Sequence, residues 1–164
     1  MNQVSVIVMN LIVQIIAPSK LLAFGLVSGI EVVGSFIDDV DALKVTEAMQ
    51  PAIILLDYAI EQDNTPLYIK SLLIESPDSR VVLLGKELPN DVILNCLMSG
   101  CHGYLEWRDT DKFLIKAIKA IGAGEAWFSR TLVGLLVDAL RGEFNDYGAL
   151  SSHSGEVSLL RKSG

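Results

Sequence analysis

Five short apolar runs punctuate the chain, and they constrain its fold more than any other feature. They are Val4–Val8 (VSVIV), Glu31–Phe36 (EVVGSF), Ala52–Leu56 (AIILL), Arg80–Leu84 (RVVLL) and Gly103–Glu106 (GYLE). A sheet with one wet face would alternate apolar and polar residues along each strand. Most of these runs do not alternate, so both faces need cover. The intervening segments supply it with helical period. DDVDALKVTEAM opens with acids, which suit the positive end of a helix. TPLYIKSLLIES carries Pro66 just inside its start, where no intrahelical donor is required. PNDVILNCLMSG stops at Gly100, and DTDKFLIKAIKAIGAG places Leu114, Ile118 and Ile121 on one face. Strands alternating with helices predict an α/β fold, a doubly wound five-stranded parallel sheet with right-handed crossovers. A further helix, SRTLVGLLVDALRG, follows with Ser129 as N-cap and Leu132, Leu135, Leu136 and Leu140 as its apolar stripe. From Gly142 onward the glycine, serine and asparagine content reads as a linker.

The first thirty residues leave two registers open. Either Val4–Val8 is the first strand and a helix kinked at Pro18 follows, or a strand runs to Ile16 and the helix starts at Ser19. Val4 to Ala17 is not a membrane span, because Ser5, Asn10 and Gln14 interrupt it and about 20 apolar residues are needed. A signal peptide would open with positive side chains, and MNQV has none. A cytoplasmic globular protein with no membrane partner is the expectation. The net charge of -7 repels a phosphate backbone, so these residues are a poor nucleic-acid binder. Cys96 and Cys101 lack the spacing of a zinc site and are expected to be buried thiols. His102 and His153 are expected in turns or at the surface, and Asp38, Asp39 and Asp41 at a solvated helix start. No phosphate-cradling glycine loop is present, so an enzyme is not expected.

Several pieces, in order, resemble one family: the response-regulator receiver domains that precede a LuxR-type helix-turn-helix, as in the NarL type. These pieces are IEVVG, PAIILLD, SGCHGYL and AIKAIGAGEAWFS. LSSHSGEVSLLRKSG faintly resembles the opening of the DNA-binding domain, although its usual Arg-Glu pair reads Ser154-Gly155. The resemblance implies a flavodoxin-like, CheY-like receiver over residues 1–128. An extension helix follows over 129–141, then a linker and vestigial helix-turn-helix start over 142–164. It implies protein partners and a homodimer, with DNA reached only through a helix-turn-helix domain missing from these residues.

The resemblance also implies a chemistry, in which one aspartate after the third strand accepts a phosphoryl group. Asp57 occupies that position. Its helpers in the family are an acidic pair after the first strand, a hydroxyl after the fourth and a lysine after the fifth. Here the acidic pair falls on Met9 and Asn10, or on Ala17 and Pro18 in the other register, and residues 1–30 contain no Asp or Glu. The hydroxyl position is Gly85 and the lysine position is Trp107. Lys86 could supply a charge from the loop, and Glu61, Asp63 and Asn64 lie in the loop after Asp57. Magnesium needs several hard oxygen ligands, so its binding is expected to be lost or weak. The reading is a degenerate receiver acting by protein–protein contact, with Trp107 plugging the pocket. Tyr104, at the position of the family's switching aromatic, is expected to be fixed by packing. A weakly phosphorylated receiver, or a small-ligand sensor using the altered pocket, is the alternative.

Overall fold

The computed structural model describes residues 11–16, 30–35 and 38–153. The strands are β1 (Leu11–Ile16), β2 (Ile30–Ser35), β3 (Ile53–Asp57), β4 (Arg80–Gly85) and β5 (Gly103–Glu106). They form one parallel sheet in the order β2-β1-β3-β4-β5. The helices are α1 (Asp39–Met49), α2 (Tyr58–Glu61), α3 (Thr65–Glu75), α4 (Asn90–Met98), α5 (Thr110–Gly122) and α6 (Arg130–His153). The chain divides into two units after Trp127, and α6 belongs to the second. Among the described residues, no helix is long and apolar enough to cross a membrane.

The lack of alternation in the strands has a direct structural counterpart. Ile53 and Leu55 of β3 enter a core with Val82, Leu84 and Leu105, closed by Leu114, Ile118 and Ile121 of α5. Ile54 and Leu56 enter a second core on the other face, with Val81, Leu83, Ala42 of α1, and Ile69 and Leu72 of α3. Cys96 and Cys101 are buried on that second side. Burial pushes the Cys96 thiol up to about 11 and the Cys101 thiol up to about 12, so both stay protonated packing groups.

One open choice is resolved and one expectation needs correction. The first described strand is β1 at Leu11–Ile16, as in the register whose strand runs to Ile16, and Val4–Val8 lies outside the described residues. Val13 sits opposite both Val32 and Ile53, which places β1 between β2 and β3. Gln14, which interrupts the apolar run, is fully buried because α1 supplies partners. Its Nε2 donates to the Ala42 carbonyl at 2.9 Å, and the Thr46 hydroxyl donates to its Oε1 at 2.7 Å. The correction concerns α6, which continues to His153 instead of ending near Gly142. One interior glycine costs a helix only about 1 kcal/mol, and no proline follows to stop it.

Local signals explain most other boundaries. The Asp38 carboxylate accepts from the Val40 and Asp41 amides at 2.9 and 3.0 Å, capping α1. Gly100 has φ +115°, a left-handed stop that follows α4. Beyond α5, Trp127 bridges to Gly103, and its carbonyl accepts from the Tyr104 amide at 2.9 Å. That contact covers the start of the outer edge of β5, which would otherwise be open to further pairing.

Candidate functional site at the carboxyl edge of the sheet

Register brings the site residues together. Asp57 is level with Leu84, Leu84 with Leu105, and Gly85 with Glu106. Asp57, Gly85 and Trp107 therefore emerge at one carboxyl edge, beside the point where the strand order reverses between β1 and β3. Crevices at such points are where open α/β sheets bind ligands.

Asp57 is only 5% exposed and ends a strand that is buried along its whole length. The chain after it is not the loop expected from sequence. It turns directly into α2, then a 3-10 turn over Gln62–Asn64, then α3. Asp57 caps α2, with its Oδ1 accepting from the Ala59 amide at 3.0 Å. The Tyr58 hydroxyl donates to Asp63 Oδ1 at 3.1 Å, and the Asn64 amide to Glu61 Oε2 at 3.1 Å. Burial, and then the neighbouring Asp39 carboxyl, raise the Glu61 pKa.

The position of the family's hydroxyl is closed as well as changed. A Cβ built on Gly85 would meet Leu88 Cδ1 and lie 2.6 Å from its Cγ and 3.2 Å from Tyr104 Cε2. Leu88 thus occupies the space that a serine or threonine side chain would need. Tyr104 is tethered: its hydroxyl donates to Glu106 Oε1 at 2.8 Å, while Glu106 Oε2 accepts from the Glu87 amide at 2.8 Å. Burial, reinforced by the Glu106 carboxylate, pushes the Tyr104 phenol above its ordinary range. Leu88 and Glu106 were not legible as site residues. Their roles depend on a loop that places Glu87 at φ 52°, which no spacing announces.

Trp107 starts a 3-10 turn after β5 and packs against the core that contains Leu55, Leu84 and Leu105. It does not plug the crevice. It forms one wall of a cavity of ≈ 530 Å³ whose other lining includes Asp57, Tyr58, Asp63, Gly85 and Leu88. Lys86 also lines this cavity, with an exposed side chain. Arg108 points to solvent and lies 3.8 Å from Glu87, an exposed pair that contributes little. Met9 and Asn10 lie outside the described residues. They also precede β1, so the positions following the first strand are Ala17 and Pro18, likewise outside the described residues. Among the described residues, no three His, Cys, Asp or Glu side chains are grouped to hold a metal ion.

No protein-family profile matches the chain. Over 133 residues it is 26% identical to the oxygen regulatory protein NreC of Staphylococcus epidermidis, covering 80% of this chain and 61% of that protein. It is 25% identical over 131 residues to the DNA-binding transcriptional activator DevR/DosR of Mycobacterium tuberculosis, covering 80% and 60%. The chain spans about three fifths of the length of these relatives. The isolated REC domain of RcsB from Salmonella enterica serovar Typhimurium shares the fold at a TM-score of 0.68 and 18% identity. That match covers 77% of this chain and 98% of the other.

Proposed function

We propose that this chain carries a receiver domain of the NarL/LuxR response-regulator type and acts without phosphoryl transfer, as a protein-interaction module. The observation that carries this reading is Leu88 seated where a side chain at residue 85 would be. Phosphoryl transfer to a carboxylate needs donors and a cation around the developing charge. Gly85 contributes no hydroxyl and Trp107 no ammonium. The residues do not fit magnesium either. Asp57 is buried, Asp63 on the same cavity is exposed, no third carboxylate lines it among the described residues, and Ala17 and Pro18 carry no oxygen in their side chains. The tethered Tyr104 fits a surface held in one state.

The direct test is incubation with acetyl phosphate and magnesium, followed by intact-mass measurement. No added phosphoryl mass is expected. A magnesium-dependent adduct that vanishes in Asp57→Asn would overturn the reading.

A homodimer is the second element of the proposal. Val133, Val137 and Leu140 of α6 are 46%, 40% and 51% exposed, and their spacing puts them on one helical face. Light scattering behind size exclusion is expected to give twice the chain mass, and Val137→Asp to shift it to the monomer. A wild-type chain that stays monomeric at high concentration would count against this element.

A further inference from the structure

We infer that the cavity beside Asp57 binds a small organic cation: an amine or amidinium on a flat apolar body. The cavity of ≈ 530 Å³ falls within the range of about 300–1,000 Å³ typical of small-molecule sites. Its lining carries two carboxylates against one exposed cation, Lys86. Asp57 is 5% exposed, lines the cavity and, among the described residues, accepts from one donor, the Ala59 amide. No cationic side chain pairs with it among the described residues. A buried carboxylate requires compensation, and a ligand's positive charge would supply it. Asp63 adds a second carboxylate on the same lining, held by the Tyr58 hydroxyl.

The remaining wall selects the body of the ligand. Trp107 and Tyr58 present aromatic surface, and Leu88 and Ala59 are apolar. An aromatic wall near two carboxylates favours a cation through both its π-face and its apolar area. A bare metal ion lacks the ligand set, since no three donor side chains are grouped among the described residues. Lys86 disfavours a second positive group on its side of the rim, which points to a monocation. The net charge of -7 raises the local concentration of any cation.

The inference rests on Asp57 carrying no phosphoryl group, so the test omits magnesium and phosphodonor. The acetyl phosphate experiment tests that premise separately. The full chain is titrated with phenethylammonium, with 2-phenylethanol as the neutral match, while the Trp107 indole resonance is followed by NMR. The amine is expected to shift that resonance saturably and the alcohol to leave it in place. Asp57→Asn is expected to weaken the amine about tenfold, the scale of a lost charge-assisted hydrogen bond. Asparagine also caps helices, and an unchanged thermal midpoint without ligand checks that this variant folds. If it does not, Asp63→Asn is expected to weaken binding in the same direction. An unmoved indole, equal binding of alcohol and amine, or amine binding unchanged in a folded Asp57→Asn protein would each overturn the inference. So would magnesium chloride alone producing the same saturable shift.

Discussion

Leu55→Ala and Leu56→Ala are each expected to lower the free energy of unfolding by about 2–5 kcal/mol, read from urea denaturation. The two side chains are adjacent in β3 and point to opposite faces, and both are fully buried. Leu55 packs in the core closed by α5, and Leu56 in the core closed by α1 and α3. Each truncation removes apolar contacts and leaves a cavity that close-packed neighbours refill only in part. Typical domains are stable by about 5–15 kcal/mol, so either variant loses a large share of the total. The paired result is what matters. A sheet covered on one face only would give one large effect and one near zero, and that outcome would contradict the doubly covered architecture.

Gly85→Thr is expected to destabilise the protein by about 1–3 kcal/mol and to leave it unable to take phosphoryl from acetyl phosphate. The change places a hydroxyl where the resemblance to receiver domains assigns one, yet its Cβ would sit 2.6 Å from Leu88 Cγ. Leu88 must leave its rotamer or the β4–α4 loop must move, and that loop is held by the Glu87 amide on Glu106. Adding Leu88→Ala opens the space and is expected to recover part of the loss, seen as a favourable coupling in a double-mutant cycle. Additive effects would show that Leu88 does not fill the position. Gain of phosphoryl in Gly85→Thr alone would show that the missing hydroxyl was the only barrier.

Much of the architecture was legible in the residues. Runs such as AIILL and RVVLL lack alternation because both of their faces are buried, and this alone required helices on either side. Asp38, Pro66 and Gly100 marked helix ends because capping, proline placement and left-handed backbone are local chemistry. The first strand was legible only as a choice between two registers. Val4–Val8 and Leu11–Ile16 offer similar apolar content, and strand pairing depends on residues far away in sequence. The end of α6 was misjudged for the opposite reason, since Gly142 is a weak local signal that an established helix overrides.

The same division runs through the site. By itself the sequence determined that Asp57 ends a buried strand, that residues 1–30 hold no carboxylate to join it, and that Gly85 and Trp107 stand at the positions to which the resemblance assigns a hydroxyl and a lysine. Those statements need only residue identity and order. The tertiary structure decided what fills the vacated positions. Leu88 takes the space above Gly85, Glu106 tethers Tyr104, and Trp107 walls an open cavity where a plug was expected. Each of these depends on where a loop directs a side chain after its strand ends. A period of two or 3.6 residues describes only the strands and helices on either side.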